Sequence, residues 1–133
     1  MSVRSLIVHR SGVPHVVLVV DADTKALTDA CRIMADAGYW PLPVSSFEQA
    51  KRRLALTTPD LLMTAVRLGA YNGLHLVVRC RTACPNMPVI VTHVTGDPVL
   101  EAEATALNAV YLVTPVPPEA LLTAVRDLLG GTS

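Results

Sequence analysis

Two rhythms of apolar and polar positions take turns along this chain. The run VVLVV at 16–20 is β-branched and continuous, which suits a strand buried on both faces of a parallel sheet, where apolar residues need not alternate. Behind it Leu27, Cys31 and Met34 recur at helical spacing, Asp23 or Thr24 can cap the helix, and Gly38 ends it. The next strand, PLPVS at 41–45, contains Pro41 and Pro43; neither can donate a ladder hydrogen bond, so it is expected at a sheet edge. Phe47, Ala50 and Leu54 mark a second helix, with Lys51, Arg52 and Arg53 mainly toward water. Pro59 closes that crossover, and DLLMTAV at 60–66 reads as the third strand. A third helix starts after Asn72-Gly73 and closes near Pro85, followed by the strand PVIVTHV from Pro88. Gly96, Asp97 and Pro98 open a fourth helix carrying Leu100, Ala104 and Leu107. The short AVYLV ending at Val113 is the fifth strand, Pro118 sits where a first helical turn tolerates proline, and Leu121, Val125 and Leu128 line the last helix.

Five strand–helix units in this length leave few architectures, because parallel strands need right-handed helical crossovers. The expected fold is α/β: a doubly wound, five-stranded parallel sheet in the flavodoxin-like order 2-1-3-4-5, with helices on both faces. Residues 15–133 form that domain and residues 1–14 an N-terminal extension, whose Leu6–Val8 could add an edge strand or dock on a neighbour. Working sites of such sheets lie at the carboxyl ends of the strands. That directs attention to Asp21–Asp23, Thr64–Arg67, Thr92–Thr95, and Thr114 with Pro115.

Composition narrows the options. Charged residues make up 17 % of the 133 and apolar ones 51 %, against a usual charged share of roughly 25 %, which leaves apolar surface for a partner. Eleven basic residues balance eleven acidic ones, and aromatics are few, so neither nucleic acid nor an anionic membrane is an expected partner. The triplet Lys51, Arg52 and Arg53, with Arg79 and Arg81, reads as solvated helix surface. The apolar run Val16–Val20 falls far short of the about 20 residues of a membrane span, and Leu6–Val8 is too short for a secretory signal core, so a cytoplasmic location is expected. Three cysteines without metal-ligand spacing fit reduced thiols; Cys80 and Cys84 share a helical face with Val77 and read as core. His9, His15 and His75 show no ligand spacing and read as surface or tail residues.

The segments VVLVVDAD, AGYWPLPVSS, PDLLMTAVRLGAYNGL, MPVIVTHVTGD and AVYLVTPVPPEALL, in this order and spacing, resemble the receiver domain of two-component response regulators from about Val16 to Leu129. The resemblance implies a phosphorylation site: paired acids after strand 1 for Mg²⁺, an acceptor Asp ending strand 3, a Ser or Thr after strand 4, and a Lys before a proline on strand 5. Carried across, the acidic pair is Asp21 and Ala22, with Asp23 one step too far along and better placed to cap the helix. The acceptor position is Ala65, the Ser/Thr position His93 and the Lys position Thr114. Only Asp21 of the five remains, so the site is vestigial: no catalytic residue, no metal ligand set and no cofactor are expected. A lone carboxylate offers Mg²⁺ little, and no cation stands where phosphoryl transfer needs one. Thr64 adjoins Ala65, but successive strand residues point to opposite faces. His93 could in principle be phosphorylated or bind a metal beside Asp21; the simpler reading is a hydrogen-bonded histidine in a repurposed pocket.

The reading that follows is a pseudo-receiver: a regulatory module, not an enzyme, binding a partner protein or a second copy of itself. Receivers commonly signal through helix 4, strand 5 and helix 5, and here that surface offers Val99, Leu100, Glu103 and Tyr111. Tyr111 stands at the aromatic position that reports phosphorylation in the family, or simply packs at a sheet edge. A charged replacement at Tyr111 or Val99 is expected to weaken association and leave stability nearly unchanged. Receivers also place a cis peptide before the strand-5 proline, so Thr114-Pro115 is expected to be cis. The second functional reading is a small-molecule sensor using the vacated acidic pocket, since its losses of Asp and Lys leave a less charged crevice.

Overall fold

A computed structural model describes residues 13–130. Five parallel strands form the sheet: β1 (Val16–Val20), β2 (Trp40–Val44), β3 (Leu61–Ala65), β6 (Val89–His93) and β7 (Val110–Val113). Their order is β2-β1-β3-β6-β7, which is the doubly wound order expected, with the proline-bearing β2 at one edge. The helices are α1 (Thr24–Asp36), α2 (Phe47–Leu56), α3 (Leu74–Ala83), α4 (Pro98–Ala106) and α5 (Pro118–Leu128). One small element goes beyond the expected set: β4 (Arg67–Leu68) pairs antiparallel with β5 (Tyr71–Asn72) between the third strand and α3. Segment 1–14, including Leu6–Val8, lies almost entirely outside the described residues.

Strand alternation divides the apolar residues into two cores. Leu18, Val20, Leu62, Val89 and Val91 join the side chains of α2, α3 and α4. Val17, Val19, Leu61, Met63 and Ile90 face the other way, toward α1 and α5. Burial on both faces is what makes the strand sequences read as continuous apolar runs.

Side chains fix the helix ends. Asp23 caps α1 by accepting the N–H groups of Lys25 and Ala26, and Gly38 takes the positive φ of 98° just past the last turn. Ser46 caps α2, and Asp97 caps α4 by accepting from Val99 and Leu100. The start of β1 is tied across the sheet by Val16 N–H donating to Asp60 Oδ2 at 2.6 Å.

Two sequence readings need correction. Arg81 is not solvated surface: its guanidinium donates to the carbonyls of Leu107 (2.6 Å), Met87 (2.6 Å) and Asn108 (3.2 Å), tying α3 to the end of α4 and the entry of β6. The last carbonyls of a helix lack intrahelical partners, which makes them good acceptors for such a cation. His15 is not a tail residue either; it is half-buried beside the Tyr39 ring at 6.4 Å.

Candidate functional site

The carboxyl ends of β1, β3, β6 and β7 bring the expected positions to one edge of the sheet. Asp21 follows β1, with its backbone N–H bonded to the Val44 carbonyl at 3.2 Å. Its Oδ1 accepts the Asp23 N–H at 2.9 Å. Burial raises the Asp21 pKa above the ordinary carboxylate value; the hydrogen bond from Asp23 lowers it in part, and the Asp23 charge raises it further. Ala22 is exposed and supplies no ligand.

Ala65 ends β3 as a buried methyl, 9 % exposed, at the acceptor position. It has no atom that can form an acyl phosphate. The nearby Thr64 hydroxyl is buried and donates to the Ala65 carbonyl at 3.0 Å, so it is committed to the backbone. Gly73 comes back over this point, its N–H bonded to the Val66 carbonyl at 2.6 Å, and a Cβ there would collide with the Ala65 carbonyl oxygen. The chain thus crosses closely over a side chain that carries no nucleophile.

His93 is half-buried, and its carbonyl accepts both the N–H of Thr114 (2.8 Å) and the Thr114 hydroxyl (3.3 Å). Its imidazole makes no hydrogen bond among the described residues, so the hydrogen-bonded histidine expected from sequence is not found. Thr114 uses its hydroxyl on that backbone carbonyl instead of reaching toward Ala65, and Thr114-Pro115 is cis. The donor set does not fit a divalent metal: Asp21 is the one acid at the family's three carboxylate positions, and no group of three metal-ligating side chains occurs among the described residues. These side chains therefore give Mg²⁺ no part in the chemistry of the pocket.

Beside the acceptor position, on the α1–α5 face, lies an open cleft of about 730 Å³. Its lining includes Asp21, Asp23, Thr92 and Thr114 over a floor of Val19, Met63 and Leu121. Ala65 and His93 are absent from that lining, so the cleft adjoins the acceptor position without including it. Thr92 falls in a segment that the sequence marks as important, but strand pattern and family resemblance give it no role. Its place two residues after Ile90 on the same strand face is the signal that could have found it.

The surface around α4 and β7 is organised differently. Tyr111 donates its hydroxyl to the Thr95 carbonyl at 2.7 Å and accepts the Asp97 N–H at 3.4 Å. Tyr111 and Leu100 also pack partly against the core, so a charged replacement at Tyr111 costs stability, contrary to the sequence expectation. Val99, 68 % exposed, is the cleaner probe of that surface. Sequence reasoning missed two companions, Val94 and Val113, both exposed; their position depends on how the β6–α4 loop lies over the end of β7, where the Gly96 backbone approaches Val113. Glu103 is exposed on α4.

Comparison with known proteins agrees with this geometry, although no family model matches the sequence. A chain from Chloroflexus aurantiacus described as a candidate response regulator superposes with a TM-score of 0.82 at 27 % identity, over 87 % of this chain and 98 % of that one. A CheY-like response regulator receiver domain from Methanospirillum hungatei gives 0.83 at 20 % identity, over 87 % and 94 %, a likeness of fold. Fold and likenesses together define a receiver domain of the response-regulator class, a module of two-component signalling. Among curated proteins the chain is 33 % identical over 116 residues to the alginate biosynthesis transcriptional regulatory protein AlgB of Pseudomonas aeruginosa, across 84 % of its own length. It spans 25 % of the length of that relative. Among the described residues no helix is long and apolar enough to cross a membrane.

Proposed function

We propose that this receiver domain signals without phosphoryl transfer, as a non-enzymatic module that binds a protein partner or a second copy of itself through α4, β7 and α5. The observation that carries the reading is the Ala65 methyl at the acceptor position. Loss of the second acid at Ala22 and of the cation at Thr114 supports it, because in-line transfer depends on charge stabilisation that these side chains cannot provide. A ligand shifts a conformational equilibrium only by its differential affinity for two states. Without a phosphoryl group nothing at Ala65 distinguishes two states, so binding at the α4–β7 face is constitutive.

The exposed valines Val94, Val99 and Val113 support that face as the apolar centre of an interface, with Glu101 and Glu103 at its polar rim. AlgB is a transcriptional regulatory protein, which supports another regulatory protein as the class of partner. Acetyl phosphate with Mg²⁺ tests the central claim: intact mass should show no adduct of about 80 Da, one phosphoryl group. An acid-labile adduct overturns the reading. Val99→Glu should then weaken self-association in light scattering, or capture of a partner, by about tenfold with thermal stability unchanged. Unchanged association moves the interface away from α4.

A further inference from the structure

Partner binding through α4 and β7 leaves the cleft on the α1–α5 face unexplained. Its lining is mainly apolar, and its volume of about 730 Å³ lies in the range of small-molecule sites. The two cations on its rim are occupied: Lys25 Nζ and Arg32 Nη2 both pair with Asp29, at 2.7 and 3.3 Å. Three carboxylates, Asp21, Asp23 and Asp29, face those two cations, so the lining is net negative and disfavours an anion.

Two of the less exposed side chains in the lining keep an oxygen with no hydrogen bond to the described residues. Asp21 is half-buried, and with Oδ1 taken by the Asp23 N–H its Oδ2 has no intramolecular partner among the described residues. Thr92 is 3 % exposed and lines the cleft, yet its hydroxyl makes no hydrogen bond within the described residues. The little surface that Thr92 keeps includes its hydroxyl, which opens into the cleft, so a group bound there can bond to both side chains.

We propose that the cleft binds a small organic cation, a protonated primary amine on a compact apolar body, with its ammonium on Asp21 and its body against Val19, Met63 and Leu121. An ammonium has three donors and no acceptor capacity. It can donate to the open Asp21 oxygen and still offer N–H groups to Thr92, which lines the same cleft, or to water. Charge-assisted bonding to a half-desolvated carboxylate is stronger than the neutral equivalent, which separates an amine from an alcohol of the same shape. Val94 borders both this cleft and the valine patch, but occupancy of the cleft does not depend on what the patch binds.

Phenethylamine is the probe, and 2-phenylethanol is the neutral control of nearly equal shape. With the full chain labelled at its methyl groups, phenethylamine should shift the Val19, Met63 and Leu121 signals saturably, with a Kd of about 1 mM, as a compact ligand allows. The alcohol should bind at least about tenfold more weakly. Asp21→Asn keeps an oxygen for the Asp23 N–H and removes the charge; it should lower amine affinity by about tenfold, and the near-isosteric Thr92→Val by about threefold. Equal binding of amine and alcohol overturns the proposal. So do unchanged affinity in both variants, shifts confined to residues outside the cleft, and no saturable shift at about 20 mM amine.

Discussion

The acceptor pocket and the α4–β7 face occupy the same edge of one sheet, but they are built differently. At the pocket the backbone arrangement is intact while the side chains that would do chemistry are methyls or hydroxyls turned onto carbonyls: Ala22, Ala65, and Thr114 on His93. At the α4–β7 face the side chains themselves hold the structure, with Tyr111 bridging Thr95 and Asp97 and the Asp97 carboxylate capping α4. Scaffold and chemistry are therefore separable in this fold. The strand ends are positioned by sheet register and two apolar cores, neither of which uses the acids.

The sharpest way to break that comparison is at the backbone crossing that the pocket retains. Gly73→Ala would drive a Cβ into the Ala65 carbonyl oxygen. Backbone on both sides must shift, so urea denaturation should show a loss of about 3 kcal/mol. A neutral result would mean that the β3–α3 connection is free to move and that the retained crossing is incidental. Glycine is required here for closeness of approach and not for its φ, which is an ordinary −60°.

A second test restores the chemistry piecemeal. Ala65→Asp places a carboxylate at a position 9 % exposed, with no cation or metal ligand set to pair it, and should cost about 2 kcal/mol near pH 7. Thr114→Lys in the same chain should recover part of that loss, because the ammonium can reach the new acid. The coupling in the double-mutant cycle should be about 1 kcal/mol and stabilising. Zero coupling would show that the Thr114 side chain cannot turn from the His93 carbonyl toward Ala65, and the pocket would then be more altered than its backbone suggests.

How much of this was legible in the sequence depended on the range of the interaction. The run at Val16–Val20, the Pro41/Pro43 edge strand, the Asp23 and Asp97 caps and the Gly38 stop are all local, and local patterns survive in a one-dimensional reading. The Arg81 clamp was not legible, because its three acceptors are backbone carbonyls, two of them 26 and 27 residues away, and carbonyls carry no residue signature. The β4–β5 ribbon is two residues per strand, too short for a period of two to show. At the site, residue identities at Asp21, Ala65 and Thr114 could be read directly. The cleft beside them could not, since it depends on how α1 and the β7–α5 loop meet over Met63.

On the α4–β7 side a smaller change is informative. Tyr111→Phe keeps the ring against the core and removes the hydroxyl from Thr95 and Asp97. The loss should be about 1 kcal/mol, the ordinary net value of a hydrogen bond. Amide exchange should rise in Thr95–Asp97 and stay unchanged around Ala65. Equal loosening of both loops would merge the two regions into one cooperative unit and remove the contrast between them.

The smallest effect concerns Asp21, the one acid that the pocket retains. Burial, aided by the Asp23 charge and opposed by the Asp23 hydrogen bond, holds its folded pKa above the ordinary 3.8. Between 3.8 and the folded value the unfolded chain has released a proton that the folded chain still binds, so stability falls as pH rises through that window and stays lower above it. Asp21→Asn cannot ionise and escapes this penalty. The variant should therefore be more stable than wild type near pH 7, with the gain shrinking as pH falls through the window and absent below 3.8. Asp21 is half-exposed, so solvent screening limits the gain to less than about 1 kcal/mol, or a Tm rise of no more than about 3 °C. A variant less stable than wild type at every pH would mean that the carboxylate is a net structural contact in the free protein. The cleft would then be completed by its own residues, without the open oxygen that an ammonium needs.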